Sequence, residues 1–256
     1  MDLHIEAKMW GSVSVRLDNR YGLTEDLLEE ILHSARLPQT RVLLVLDTEN
    51  GWPGYRGVAF MSELLQLSGV ITRTMRKCLG TPNVIAASEW DYGVYLPKVT
   101  AEWARLYEPY FAFYLWHELE HVRIMIQDPN LHWFAAWLSE NWKRFCGETP
   151  GIRTYEFPWE LHCHTVAKQL AISEYGGAFE DACQRVRPLE SQKQQEVISF
   201  IMTLPCSGER PIEEVAGQLA ALVRERGIER AVRNEWENKR RSPGTLASMV
   251  NLERFL

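Results

Sequence analysis

Apolar residues recur along the chain with two different periods. Residues 10–17 (WGSVSVRL) alternate loosely with period two, which predicts a short strand. Residues 41–47 (RVLLVLD) are a continuous β-favouring apolar run, the pattern of a strand at the centre of a sheet. Between them, residues 25–36 place Leu27, Leu28, Ile31 and Leu32 on one helical face. Thr24 precedes that helix as an N-cap and Pro38 closes it. Residues 83–87 (NVIAA) and 93–99 (GVYLPKV) read as two more strands, and Pro97 sets the second at an edge or a strand end. An edge there can take up an extended peptide by strand addition; an ordinary hairpin fits the same residues equally well.

Helical spacing governs the rest. Leu64, Leu65, Leu67, Val70, Ile71 and Met75 predict a helix over 61–79, after a loop at 49–57 (ENGWPGYRG). Three glycines in that loop are not followed by Gly-Lys-Ser/Thr, so it is not a phosphate loop. A helix starts near Thr100, and Pro109 either kinks it or opens a new one running to Gln127. Asp128-Pro129 ends that segment, and Asn130 is placed to cap an aromatic helix over 131–145. A further helix starts at Pro158 and runs to Tyr175. Beyond Gly176-Gly177 the pattern is entirely helical, over 179–186, 192–204, 212–226 and 228–241, with a weak helical signal in 242–256. The expected architecture is α+β: a small mixed N-terminal sheet with one key helix, then a mostly helical C-terminal half. The expected division is a first domain over 1–176 and a helical extension over 177–256.

Composition narrows the function. The chain has 256 residues, 46% of them hydrophobic, and a net charge of −6, which gives no basic surface for nucleic acid. The opening MDLHIEAKMWGSV lacks the basic and apolar regions of a signal peptide, and no stretch has the ~20 apolar residues of a membrane span. Five cysteines without a CxxC pair read as reduced thiols. A cytoplasmic protein without membrane or nucleic-acid partners is expected.

The chemistry concentrates in His117-Glu118-Leu119-Glu120-His121, an HExxH sequence. On a helix, positions four apart lie about 40° from each other, so both imidazoles can share one metal ion. Glu118 falls about 100° from His117, beside the ion and free to act as a base. Leu115, Leu119, Val122 and Ile126 form an apolar stripe roughly opposite the histidines, which predicts one buried face and one face turned to a cleft. A catalytic zinc takes three protein ligands and keeps one position open. The extended HExxHxxGxxH pattern is excluded, because Ile124 and Gln127 stand where it needs Gly and His. The alternative is a third ligand supplied by a later helix. Pro158 in a first helical turn puts Glu160 and His164 on one face, with His162 near the opposite side. Glu160 is the first choice of ligand. His164 is the alternative ligand, or else a hydrogen-bond donor to an oxyanion or a group that orients a ligand. Tyr114 and Tyr155 are further oxyanion candidates, for which packing is the simpler role.

With a downstream glutamate shortly after a proline, the chain resembles the zincin-like, gluzincin-type HExxH…E metallopeptidases over about residues 41–175. The resemblance implies a zinc ion held by His117, His121 and Glu160, with Glu118 as general base. The residues after Glu160 depart from the best-known NExxSD-like run, which leaves the subfamily open. The expected activity is a zinc-dependent hydrolase acting on peptide or protein substrates. The alternative is a zincin-derived regulatory or interaction protein without peptidase activity.

Overall fold

The computed structural model describes residues 7–18, 22–46, 58–61, 90–147, 152–206, 211–240 and 251–256. Strands β1 (Ala7–Trp10), β2 (Val13–Asp18), β3 (Thr40–Leu46), β4 (Val58–Met61) and β5 (Tyr92–Leu96) form one sheet in the order β1-β2-β3-β5-β4. The inner pairs β2–β3 and β3–β5 are parallel, and the outer pairs are antiparallel. The fold is therefore α+β with a mixed sheet, as the apolar periods predict. β3 lies at the centre, with Val42 to Leu46 all buried, because an unbroken apolar run needs cover on both faces. Its register sets Val42 against Val15, and Leu44 against Val94.

Local readings change at four places. The expected strand over 10–17 is a hairpin, since Gly11 takes φ 60° and turns the chain between Trp10 and Val13. Met61 ends strand β4 and does not begin a helix. The expected strand over 93–99 stops at Leu96, because Pro97 sits in the N-cap position of α2 (Lys98–Leu106). β5 is also paired on both sides, by β3 and β4, so it offers no edge to a peptide. The loop at 49–57, the strand at 83–87, Cys78 and nearly all of the 61–79 helix lie outside the described residues.

The remaining helices are α1 (Glu25–Ala35), α3 (Glu108–Gln127), α4 (Pro129–Cys146), α5 (Pro158–Tyr175), α6 (Gly177–Val186), α7 (Gln192–Thr203), α8 (Ile212–Glu225) and α9 (Glu229–Arg240). Thr24 occupies the N-cap position of α1 without a side-chain capping bond. α1 ends at Arg36, in the left-handed region at φ 49°, before Pro38 is reached. Pro109 opens α3 and does not kink α2. Asp128, not Asn130, caps α4: its carboxylate accepts the Leu131 N–H at 3.0 Å. Among the described residues, no helix is long and apolar enough to cross a membrane.

The chain forms two compact units, and they do not follow the expected boundary at residue 176. One comprises 1–123 with 164–207, the other 124–163 with 208–256. α6 and α7 thus belong with the sheet, whereas α8 and α9 share a unit with α4. In the first unit, the Trp116 indole N–H donates to the Ile31 carbonyl at 2.9 Å, and the Tyr175 hydroxyl donates to Glu108 at 3.0 Å. The second unit has its own apolar core, including Leu131, Phe134, Leu138, Leu219, Val223, Val232 and Trp236. Phe255 completes it, stacked on Phe134 with centroids 4.5 Å apart and planes within 10°.

Candidate metal centre

α3 begins at Glu108-Pro109 and stops at Asp128, whose N–H still bonds the Ile124 carbonyl at 2.8 Å. The residue before Pro129 then leaves the helical region. Every residue from Tyr110 to Val122 is buried. The one-sided helix read from the leucine stripe is thus corrected to a helix covered all round. Large apolar groups outside the stripe, including Phe113 and Trp116, need burial of their own.

The consequence is four ionisable side chains inside the protein: His117, Glu118, Glu120 and His121, each 4–5% exposed. Buried groups of this kind need partners or ligands. Glu120 receives the Arg123 Nε–H at 2.9 Å, and Arg123 also donates to the Ala35 carbonyl at the end of α1. His117 and His121 face one another, with Nε2 atoms 3.1 Å apart and ring planes at 84°. Two nitrogens bonded to one tetrahedral zinc at about 2.0–2.1 Å would be separated by about 3.3 Å. The observed pair therefore has nearly the span of two ligands of one ion.

Glu160 lies in the first turn of α5, after Pro158. One donor atom each from His117, His121 and Glu160 lies within 4.8 Å of the others. Two neutral imidazoles and one carboxylate suit a divalent first-row metal, and three protein donors leave a fourth position for water or substrate. The donor set thus fits zinc. Among the described residues this is the group of His, Cys, Asp and Glu side chains with a metal-holding arrangement.

The other expected residues fall in distinct places. His164 is one turn beyond Glu160 on α5 and is buried. It is not among the converging donors; its ring stacks on His117, with centroids 4.3 Å apart. His162 is also buried and outside that group, as its helical phase predicts. Tyr155 precedes α5 in a single 3₁₀ turn, Thr154–Glu156, and its hydroxyl accepts from Arg153, whose guanidinium also lies over its ring. The Tyr114 hydroxyl bonds Gln194 Oε1 at 3.4 Å and the Tyr110 hydroxyl at 3.3 Å. Burial, with the neighbouring Tyr114 second, pushes the Tyr110 phenol well up, so the Tyr110 hydroxyl stays protonated. His132 is a buried structural histidine, edge-on to Trp133 and Trp159.

Two groups around the site were not foreseen. Phe113 touches both His117 and His164, and Arg123 holds the buried Glu120. Spacing carries both signals: Phe113 is four residues before His117, and Arg123 is three after Glu120. No family model matches the chain, and neither the curated proteins nor the solved structures include a match to it.

Proposed function

We propose that this protein is a cytoplasmic zinc-dependent hydrolase of the zincin-like, gluzincin type, acting on peptide or protein substrates. One observation carries the reading: His117, His121 and Glu160 present donors to a common point, with the two imidazole Nε2 atoms 3.1 Å apart. The residue order His-Glu-x-x-His, with a later helix supplying glutamate, supports the same assignment. Zinc, when bound, supplies Lewis acidity at a carbonyl and lowers the pKa of water.

Each of the chain's own groups then has a part. His117 and His121 would hold the ion through their imidazole nitrogens, and Glu160 would add the negative donor. Glu118 follows His117 on α3 and is 5% exposed. Its carboxylate takes a proton from the attacking water and delivers it to the departing amine. Burial of His117, Glu118 and His121 strengthens the electrostatic contacts they make, while Glu160 stays partly exposed. Tyr155, held by Arg153, is assigned to packing. A cytoplasmic setting is supported by the free thiols of Cys183 and Cys206.

The test is metal analysis of the purified full chain, together with hydrolysis of casein and of a mixed peptide pool. One zinc per chain is expected, with hydrolysis. Glu118→Gln should retain the zinc and lose at least about 100-fold in turnover, the range of general-base catalysis. His117→Ala should lose the zinc. A wild-type chain without stoichiometric metal overturns the proposal; a zinc-loaded chain that cleaves no peptide replaces it with a zincin-derived binding protein.

A further inference from the structure

Four rings stand in contact beside the candidate ligands. Phe179, on α6, is fully buried and stacks on Phe113, with centroids 5.4 Å apart and planes at 27°. Phe113 stacks in turn on His164, at 6.0 Å and within 7° of parallel. His164 stacks on His117, at 4.3 Å and 29°. The last ring is also the one whose Nε2 approaches His121. A metal-ligating histidine is commonly held by a hydrogen bond that fixes its ring, and loss of such support costs 10–100-fold in metal affinity. Here a ring face is set against the ligand, and Phe113 lies beside both imidazoles, 6.5 Å from His117 and 6.0 Å from His164, with Phe179 packed on it in turn.

We infer that His164 is a positioning residue: its ring, stacked on His117 and flanked by Phe113, fixes the plane of the His117 imidazole and is not a metal ligand. The inference rests on the metal reading above, and it deepens it. Helical phase explains the arrangement. His164 lies four residues after Glu160, so one face of α5 carries a ligand and, a turn later, the ring that orients another ligand. Phe113 lies four residues before His117, so α3 likewise carries the ligand and a ring that flanks both imidazoles. A flat ring in face contact resists rotation of its neighbour about the Cβ–Cγ bond, since turning would drive one edge into the adjacent face. Two ligand rings thus keep their nitrogens aimed before metal arrives, which is preorganisation of the site.

A nitrogen of His164 is not needed for this role, only its flatness, and the experiment separates the two. Zinc affinity is measured by competition with a chromophoric chelator for the wild type, His164→Phe and His164→Ala, and the absorption of the cobalt-substituted proteins is recorded. His164→Phe should bind zinc within about threefold of wild type and leave the cobalt spectrum unchanged. His164→Ala should bind 10–100-fold more weakly. In metal-free protein, the ring-proton NMR signals of His117 should carry a ring-current displacement that persists in His164→Phe and is lost in His164→Ala. If His164→Ala does not fold, His164→Leu fills the volume without a flat ring and replaces it. A phenylalanine variant as weak as the alanine variant, or one with an altered cobalt spectrum, overturns the inference in favour of coordination by His164. Unchanged affinity and NMR signals in His164→Ala also overturn it. A wild-type chain that binds no metal sinks the metal reading, whereas the NMR result in metal-free protein still decides whether His164 sets the His117 ring.

Discussion

Lys168 offers a direct test of how the buried polar groups of the first unit are held. Its side chain is 2% exposed, deep on α5. Its ammonium donates to the carbonyl oxygens of Met202 at 3.0 Å and Leu204 at 2.7 Å. Those carbonyls close the C-terminal end of α7, where four carbonyls lack partners within the helix and the dipole is negative. Methionine has nearly the shape of lysine, suits a helix and carries no donor, so Lys168→Met removes the two bonds with little change in volume. Hydrogen bonds to a charged group are worth about 1.5–3 kcal/mol each, or about 3–6 kcal/mol for the pair. That figure is already net of solvation, and counting the two carbonyls as left unsatisfied, at about 1–3 kcal/mol each, gives a similar loss of about 2–6 kcal/mol. A net loss of about 3–6 kcal/mol is expected. Urea unfolding at neutral pH, followed by circular dichroism and tryptophan fluorescence, measures it. Amide exchange should accelerate first in α7. A methionine variant as stable as the wild type, or more so, would refute the reasoning, because it would mean that the ammonium's burial is not compensated by the two carbonyls.

Two further outcomes follow from the same contacts. The Arg41 guanidinium donates to both Asp91 oxygens, at 2.6 and 3.1 Å, and this hydrogen bonding holds the Asp91 carboxyl below its usual range. A lowered carboxyl pKa stabilises the fold above the ordinary value near 4. That contribution is lost as the pH falls through the folded value. Asp91→Asn should therefore be slightly less stable than wild type at pH 7 and equal to it in acid. The gap should also shrink in salt, since the pair is about half exposed. An unfolding difference independent of pH would contradict this. Phe255→Ala should cost about 3–5 kcal/mol in urea unfolding, since the ring is fully buried against Phe134; a loss below 1 kcal/mol would show that the C-terminal residues are not part of that core.

The sequence was most legible where the information was local. The helix starts expected at Pro158, Gln192 and Ile212 are those of the structure, and the spacing of His117 and His121 alone puts them on one side of a helix. Phase from Pro158 selected Glu160 over His162 for the same reason. What escaped depends on partners distant in the chain. Nothing in GVYLP says that the strand will be flanked by β3 on one side and β4 on the other. The leucine stripe of α3 marks a buried face, but covering the opposite face takes groups from several other segments. His164 read as a ligand, a donor or a group that orients a ligand, because its chemistry allows all three. Its face contacts with Phe113 and His117 exist only once α3 and α5 lie together. The hairpin at Gly11 was a local miss, where one glycine outweighed a plausible alternation.

Strand order also sets how exposed the chain is while it is being made. β3 can pair with β2 early, but its other neighbour begins at Tyr92, after residues 47–91 have been synthesised. Until then one edge of Thr40–Leu46 is an open row of backbone donors and acceptors on a strongly apolar strand, and Arg41 is its single charge. Parallel pairing over such a separation is slow, and an edge of this kind captures other chains. The vulnerable moment in the life of this protein thus comes before α3 exists. Its yield is governed by how quickly β5 arrives to shield β3, well before any metal can contribute to the fold.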